Sequence, residues 1–212
     1  MKILIRQYTR QPIAALIVLL FLFLSLDKVA CQEFGLSVVG GGNFSQLDGD
    51  NLQGFNKLGA HLGLRSYYST SSSSGFGIEL LLHEKGSSTG IIQGGSGIQQ
   101  SISLRYVSIP ITYFLNEWYV SDTDHHRVRI EAGPIMNYLF DVSSSNPFFD
   151  NAVDDFANFD LGLLAGLSYN FDSHWTVTGR VERSLLTIYQ GPTQQERGLQ
   201  SYLMNFRFEY EF

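Results

Sequence analysis

The sequence lacks paired cysteines, an excess of positive charge and, beyond its N-terminus, any long apolar run. Cys31 is the one cysteine in 212 residues, so no disulfide can form within the chain. Its 14 Lys and Arg residues are outnumbered by 20 Asp and Glu residues, which gives a formal net charge of -6. Because phosphate binding needs clustered Lys and Arg, nucleic acid is not an expected partner.

The long apolar run near the N-terminus covers residues 13–26 and reads IAALIVLLFLFLSL. Three basic residues precede it and small residues follow it, a pattern that predicts a cleaved secretory signal peptide over residues 1–31. The run is shorter than the roughly 20 residues that a spanning helix needs. Acylation of Cys31 is the alternative, and it is disfavoured because Lys28 stands where a lipoprotein signal has an aliphatic residue. We therefore expect one mature domain over residues 32–212.

From residue 34 onward, short segments alternate apolar and polar residues between clusters of Gly, Ser, Asn and Asp. A period of two predicts strands, and about eight such segments can be counted. Tilted strands of about ten residues can cross a bilayer, and closing the sheet removes its unpaired edges. The predicted fold class is all-β, an eight-stranded antiparallel up-and-down transmembrane β-barrel. Longer loops are expected at about 45–54, 86–99, 143–158 and 190–197.

The apolar faces of these segments are expected to contact outer-membrane lipid, with aromatic residues near the strand ends forming girdles. The last segment, 198–212, has Phe208, Tyr210 and Phe212 on its apolar face. Such a segment is similar to the closing strand of outer-membrane barrels, which the assembly machinery reads. We therefore expect these three aromatic residues to act as a C-terminal assembly signal.

Two residues interrupt the regular pattern. Pro110 lies inside the fourth segment, and because proline has no backbone donor the ladder is expected to have a gap or bulge there. Arg183 falls on an apolar face, where a charge is costly at the bilayer centre and tolerated near an interface. We expect Arg183 to lie near a membrane surface.

Several short motifs also lie along the segments. They are Glu79-Leu80-Leu81 with Lys85-Gly86, Tyr106 with Ile109-Pro110-Ile111, Glu131-Ala132-Gly133-Pro134 with Tyr138, Gly162 to Gly166, and Arg180 with Leu185 and Ile188. In this order the chain resembles the PorT-like small outer-membrane β-barrel proteins over most of residues 34–212. The resemblance implies an outer-membrane barrel. It also implies an alternative role as a component of a protein-secretion complex, since the family's named member is similar to parts of a secretion and gliding apparatus.

The polar faces are expected to point into the barrel. An eight-stranded barrel is just wide enough for its interior to be filled by side chains, and mixed charges there can pair. We therefore predict a plug of paired side chains that fixes the barrel's shape, with a narrow channel or small-ligand carrier as the alternative. The predicted interior charged plug consists of Arg65, Glu79, His83, Lys85, Arg129, Glu131, Arg180, Glu182, Arg207 and Glu209, with Glu211 on the same face.

An enzyme is not expected, although His61 and His83 face inward on neighbouring segments near Glu79. A histidine beside a carboxylate can act as a general base. However, no serine lies in a recognisable nucleophile motif, so packing is the favoured interpretation of these histidines.

No metal site or cofactor is expected. Carboxylates and histidines do cluster in two places, a short turn and an acidic loop. Neither cluster has the ligand spacing of a known site, so both are interpreted as solvated segments. The turn contains Asp122, Asp124, His125 and His126, and the loop contains Asp150, Asp154, Asp155 and Asp160.

The third long loop is unusually aromatic for a solvated segment. Exposed apolar residues on a loop can mark a partner site, although they can also fold back over the barrel mouth or dip into the outer leaflet. Phe148, Phe149 and Phe156 are therefore candidate contacts for an envelope protein partner. Taken together, the sequence predicts a non-enzymatic barrel with a structural or interaction role in the cell envelope. A soluble lipocalin-type barrel is the remaining rival, and it would place apolar residues inside.

Overall fold

The computed structural model describes residues 34–48, 57–88, 101–145, 156–189 and 199–212. Consecutive strands pair antiparallel, and the first strand also pairs with the last, so the sheet closes into a barrel. The predicted all-β, eight-stranded up-and-down barrel is confirmed. Its strands are β1 (Phe34–Asp48), β2 (Lys57–Ser71), β3 (Ser74–Ser88), β4 (Ser101–Val120), β5 (His125–Ser144), β6 (Phe159–Asn170), β7 (Trp175–Ser184) and β8 (Gln200–Glu211).

Side chains alternate between the two faces of the wall, with apolar residues outside and most of the charged residues inside. On β8, Phe206 and Phe208 are 58% and 60% exposed, whereas the intervening Arg207 is 1% exposed. A soluble barrel would have the opposite polarity, because water favours polar residues on the outside. The lipocalin-type alternative is therefore wrong. Among the described residues, no helix is long and apolar enough to cross a membrane.

The barrel has two different ends. At the short-turn end, residues 72–73, 121–124 and 171–174 connect the strands. At the opposite, long-loop end the connections run over 49–56, 89–100, 145–158 and 185–199. Exposed aromatic residues ring the short-turn end, as a membrane-interface girdle requires. They include Phe34, Phe76, Tyr113, Trp118, Tyr119, Phe171, Trp175 and Phe212.

Three strands extend further toward the long-loop end than their sequences indicated. β1 continues to Asp48 rather than ending near Phe44, and its last residues pair with β8 from Leu203 to Gln200. β3 continues to Ser88 and β5 to Ser144. These ends are rich in Ser and Asp, which is typical of loops in soluble proteins. In a barrel with a polar interior, such residues also fit the inward face of a strand.

One local irregularity lies where the sequence placed it, and two further register shifts, one on β2 and one on β4, were not predicted. The pairing of β4 with β3 includes Ile111 and Ser108 but skips Pro110, as expected for a residue without a backbone donor. Arg183 is on the outward face, and its guanidinium carbon lies 5.2 Å from the centre of the Tyr202 ring. A cation over an aromatic face is a stabilising contact, and it holds Arg183 toward the long-loop end of β7.

Buried apolar residues fill the interior near the long-loop end, and we call them the terminal apolar cluster. The segments on either side of β6 and β7 meet here, because Ala157 N donates to Ile188 O (2.9 Å) and Ile188 N donates to Leu199 O (2.9 Å). The rings of Phe156 and Tyr189 are 4.9 Å apart. The terminal apolar cluster consists of Leu47, Ile102, Leu104, Tyr106, Leu139, Phe156, Ile188, Tyr189 and Leu199.

Candidate functional site

Seven charged side chains meet in the middle of the barrel interior, and we call them the central charge cluster. They reach this level through the strand register, in which Arg65 of β2 lies opposite Glu79 of β3. On the other wall, Gly166 of β6 lies between Glu131 and Arg180. All seven are buried: Arg65, Glu79, Arg129, Glu131, Arg180, Arg207 and Glu209.

Glu79 is the carboxylate with the most arginine partners. Arg180 donates through both terminal nitrogens, with Nη1 to Oε2 at 2.9 Å, and Arg207 does the same with Nη1 to Oε2 at 2.7 Å. Arg65 Nη1 lies 3.8 Å from Glu79 Oε1. Two bidentate arginine–carboxylate pairs on one glutamate fix its position, because each pair supplies two directed charge-assisted hydrogen bonds.

Glu131 and Glu209 complete the cluster. Glu131 accepts from Arg180 Nε and lies 2.9 Å from Arg65 Nη1. Glu209 accepts from Arg207 Nη2 at 2.6 Å and from Arg129 Nη2 at 3.2 Å. These contacts link both walls of the barrel through side chains alone.

Gly166 makes room for the pair of Glu131 and Arg180. A Cβ atom at Gly166 would lie 2.8 Å from Arg180 Cγ and 3.1 Å from Glu131 Oε1. The absence of a side chain therefore lets the two charged groups meet directly above the β6 backbone.

A second polar group lies between the central charge cluster and the terminal apolar cluster. Lys85 Nζ pairs with Glu182 Oε1, and the same oxygen accepts from Asn137 Nδ2 at 3.3 Å. Asn137 Nδ2 also donates to Asp160 Oδ2 at 3.1 Å, and Ser184 donates to the other oxygen of Asp160. Asp160 was expected in a solvated acidic loop, but it is a fully buried residue of β6.

The interior histidines do not form a nucleophile and base pair. His61 and His83 face each other across β2 and β3, and His83 Nε2 lies 2.9 Å from Ser108 Oγ. Ser108 donates its proton to Asn137 Oδ1 at 2.6 Å. The serine therefore accepts from the imidazole, so His83 is not oriented to activate it as a base.

The buried charges of the described interior are balanced in number. Five cations and five anions are buried, counting histidine as neutral. Removing a charge from water is costly, and a paired, hydrogen-bonded arrangement offsets that cost. The ten are Arg65, Lys85, Arg129, Arg180 and Arg207, with Glu79, Glu131, Asp160, Glu182 and Glu209. Nine of these were assigned to the inward face from the alternation of polar and apolar residues in the sequence, and Asp160 is the additional one.

Glu211 and the turn residues Asp124 and His125 lie at the short-turn end. Tyr67 OH donates to Glu211, and Tyr119 OH donates to Asp124 Oδ1 at 2.6 Å. His125 Nδ1 lies 3.3 Å from the backbone oxygen of Thr123. Among the residues described, no three His, Cys, Asp or Glu side chains are placed to hold a metal ion. Asp150, Asp154 and Asp155 lie outside the described ranges.

Asp172 caps the turn between β6 and β7, outside the strands. Its Oδ1 accepts from the backbone N–H groups of His174 at 2.8 Å and Trp175 at 2.7 Å. These bonds favour the ionised carboxylate, so the pKa of Asp172 is lowered from its ordinary value.

The remaining predicted residues are divided between the two ends. Phe208, Tyr210 and Phe212 face outward near the short-turn end, and Phe212 N donates to Leu36 O at 3.1 Å. Phe156 was expected on an exposed partner-binding loop, but it is 5% exposed within the terminal apolar cluster. An aromatic ring beside a barrel mouth gains more by folding inward onto apolar neighbours than by remaining in water. Phe148, Phe149 and the signal-peptide prediction for residues 1–31 lie outside the described residues.

Sequence reasoning missed the polar residues that connect the ion pairs. Ser108, Asn137 and Ser184 all lie on inward-facing positions, and each bonds to a charged or histidine side chain. Their position on the polar face of an alternating segment was visible in the sequence. Their partners were not, because those partners lie on other strands.

The chain matches the model of one protein family. The model of a family described as outer membrane protein beta-barrel domain matches residues 27–190. No curated protein matches the chain.

Three solved structures are among those similar to this one. Neisserial surface protein A is 10% identical, with 86% of this chain and 100% of that chain covered and a TM-score of 0.50. Ail, the attachment invasion locus protein of Yersinia pestis, is 14% identical, with 85% and 99% covered and a TM-score of 0.46. OprG from Pseudomonas aeruginosa is 13% identical, with 85% and 94% covered and a TM-score of 0.37. At these identities the likeness concerns the fold alone.

Proposed function

Because the chain belongs to the family of outer-membrane proteins with a beta-barrel domain, we propose that it is a non-enzymatic barrel with a closed interior and a structural or interaction role in the cell envelope. The protein is an integral protein of the outer membrane of Gram-negative bacteria. Its outward apolar face contacts lipid, and the proposal concerns what the interior and the long-loop end do.

The observation that carries the proposal is the filling of the interior at three successive levels. The central charge cluster crosses the lumen from β3 to β7 through the pair of Glu79 and Arg180. Lys85 and Glu182 form a second crossing, and the terminal apolar cluster follows toward the long-loop end. An eight-stranded barrel has room for little else, so these side chains support the role of a plug.

The absence of enzymatic activity is supported by the arrangement of the interior histidines. His83 and Ser108 are both buried, and the serine proton is directed to Asn137 rather than to the imidazole. A buried hydroxyl with this polarity is neither activated nor reachable by a substrate.

An interaction role is supported by the lengths of β4 and β5. Each has 20 residues, about twice the ten or so that a tilted strand needs to cross a bilayer. The pairing of β5 with β6 stops at Tyr138 and Phe159, so residues 139–144 of β5 extend beyond it. This taller wall at the long-loop end offers a surface to other envelope proteins.

Single-channel recording tests the closed interior. The purified protein, folded into lipid vesicles and checked by its heat-dependent gel mobility, is fused to a planar bilayer. We expect no unitary conductance steps from the wild type. The double variant Glu79→Ala with Arg180→Ala removes one anion and one cation from the lumen together. It should therefore show small unitary conductance steps. Regular steps in the wild type would instead establish the narrow-channel alternative.

A second proposal is a role as a component of a secretion complex. It is supported by the PorT-like motifs of the sequence and by the tall wall of β4 and β5. Cross-linking in intact cells from cysteines placed at residues 86–99 or 143–158, followed by detergent extraction, tests it. Recovery of one stoichiometric envelope partner supports this role, and a protein that is recovered alone contradicts it.

We propose in addition that residues 1–31 are removed as a signal peptide, and that Phe208, Tyr210 and Phe212 are read during assembly. Intact mass analysis of the outer-membrane protein should give a chain that begins at Gln32. A mass that includes an acylated Cys31 would contradict cleavage after Cys31. Replacement of Phe212 by alanine should slow assembly, measured as delayed appearance of the heat-modifiable form.

A further inference from the structure

Arg183 is an outward-facing cation of β7, and it is exposed on a surface that is otherwise apolar. It lies opposite Leu163 of β6 and Tyr202 of β8 in the register of the sheet. Leu163 is 52% exposed, and Leu185, two residues beyond Arg183, is 47% exposed. A permanently charged side chain therefore stands among residues that contact acyl chains.

In the described ranges, the other cations that reach the surface near the long-loop end are each paired with a carboxylate. Lys57 Nζ lies 2.7 Å from Glu84 Oε1, and Arg105 Nη1 lies 2.9 Å from Asp141 Oδ2. Arg183 forms no ion pair with any carboxylate of the residues that the structure describes. A cation beside lipid is stabilised by an anionic partner, so this position favours a ligand with negative charge.

Tyr202 holds the guanidinium group of Arg183 without using its hydrogen-bond donors. The guanidinium carbon lies over the tyrosine ring, 5.2 Å from its centre. Such a contact depends on the charge of the cation and takes up none of the five N–H donors of an arginine. Two of those donors can bind a phosphate group through parallel hydrogen bonds. The ring therefore positions Arg183 and leaves its donors available to an oxyanion.

The depth of Arg183 matches the edge of the apolar band. Trp175, in the aromatic girdle at the short-turn end, lies eight residues before Arg183 on the same strand. With a rise of about 3.3 Å per residue and a tilt of about 40°, this stretch spans roughly 20 Å along the barrel axis. The apolar band of such barrels is about 25 Å tall, with short turns in the periplasm and longer loops outside. Arg183 therefore lies where the headgroups of the outer leaflet begin.

We propose that Arg183 and Tyr202, flanked by Leu163 and Leu185, form a binding site for a phosphorylated glycolipid of the outer leaflet. Arg183 binds a phosphate of the headgroup, Tyr202 fixes the guanidinium group, and the two leucines contact the acyl chains. A glycolipid is the occupant because the outer leaflet of this membrane is built largely of phosphorylated glycolipid, whereas phospholipid fills the inner leaflet. The site rests on the position of the barrel in the outer membrane and does not depend on whether its interior is closed.

Lipid A, the acylated and phosphorylated part of that glycolipid, is the probe for this site. The detergent-extracted protein is mixed with lipid A, with fully dephosphorylated lipid A or with phosphatidylglycerol, and bound lipid is measured by native mass spectrometry. We expect the tightest binding for lipid A, because a phosphomonoester carries about -1.5 to -2 charges near pH 7, more than the phosphodiester of phosphatidylglycerol. Inorganic phosphate should not displace lipid A, since it has no acyl chains.

Two variants and a control locate the phosphate contact, and each is first checked for heat-dependent gel mobility. Arg183→Gln keeps a polar side chain without the charge. It should weaken binding of lipid A by roughly tenfold and leave binding of the dephosphorylated lipid unchanged. Tyr202→Leu removes the ring below the guanidinium group and should weaken binding of lipid A roughly twofold to fivefold. Arg105→Gln is the control and should bind lipid A like the wild type, because Arg105 is already paired with Asp141.

Equal affinity of the wild type and Arg183→Gln for lipid A overturns the proposal, as does equal affinity of the wild type for lipid A and its dephosphorylated form. Binding of phosphatidylglycerol as tight as that of lipid A overturns the assignment to a glycolipid. None of these measurements reports on conductance, so their failure is distinguishable from failure of the closed interior.

Discussion

Glu79 and Arg180 are joined across the lumen by two parallel hydrogen bonds, with Arg180 Nη1 2.9 Å from Glu79 Oε2. The two residues are 101 positions apart in the chain and belong to β3 and β7. Their hydrogen bonds therefore join opposite walls of the barrel.

Glu79→Gln should destabilise the barrel strongly. The change keeps the shape of the side chain but leaves the arginines around it without their shared carboxylate, which costs about 3–5 kcal/mol for a broken buried pair. The free energy of unfolding in lipid vesicles, measured by urea titration with tryptophan fluorescence, checks this. Asp141→Asn is the control, because Asp141 and Arg105 form an exposed pair worth at most about 1 kcal/mol. Equal losses in the two variants would contradict a structural role for the central charge cluster.

Leu80→Arg should destabilise the barrel more than an arginine placed on the same face of β3 nearer the membrane surface. Leu80 faces outward in the middle of β3, where an arginine in contact with lipid costs about 2–4 kcal/mol. Phe76→Arg lies four residues closer to the short-turn end, where the cost of the charge falls to about 0–1 kcal/mol. Folding free energies of both variants in the same vesicles test the membrane position of β3. Equal losses of folding free energy at the two positions would contradict the predicted depth of β3 in the membrane.

Phe156→Ala should lower stability by about 3–5 kcal/mol, the usual loss for emptying a buried aromatic site. Phe156 packs on Tyr189 inside the terminal apolar cluster, so the change leaves a cavity there. Leu186→Ala, at a 41% exposed position of the same end, should cost much less. If Phe156→Ala unfolds like the wild type and loses an envelope partner instead, the residue is a contact for that partner.

The turn between β6 and β7 should weaken in acid. The pKa of Asp172 is lowered from its ordinary value of 3.8 by the bonds from the Trp175 and His174 backbone, so the folded state holds the carboxylate more firmly than the unfolded state does. This contribution is present above the unfolded pKa and is lost as the pH falls through the folded one. A carbon-detected NMR titration should place the Asp172 midpoint below 3.8. Asp172→Asn should remove this part of the dependence of stability on pH. A titration midpoint of wild-type Asp172 at or above 3.8 would contradict the prediction.

The alternation of the sequence predicted which side chains face inward, and it did so correctly for residues on all eight strands. Arg207 and Glu209 show the reason. Successive side chains of a strand point to opposite faces, so two residues that are two positions apart share a face whatever their partners are. The strand ends were less predictable. Leu47 and Ser45 continue β1 because β8 pairs with them, and no local feature of the residues from 45 to 48 indicates that pairing.

The partners of the inward side chains could not be predicted from the sequence. Arg65 meets Glu131 because the closed sheet brings β2 and β5 to face each other, although they are not adjacent strands. The burial of Phe156 was missed for the same reason, since its neighbours Tyr189 and Leu199 come from later segments.

The sequence by itself determined the strands, their two faces and the closed antiparallel order, because these depend on a period of two and on short connections between neighbouring segments. Only the tertiary structure decided which charges pair and how the long-loop end is filled. Those features depend on the relative stagger of strands around the barrel, and that stagger is set by the packing of all eight strands together.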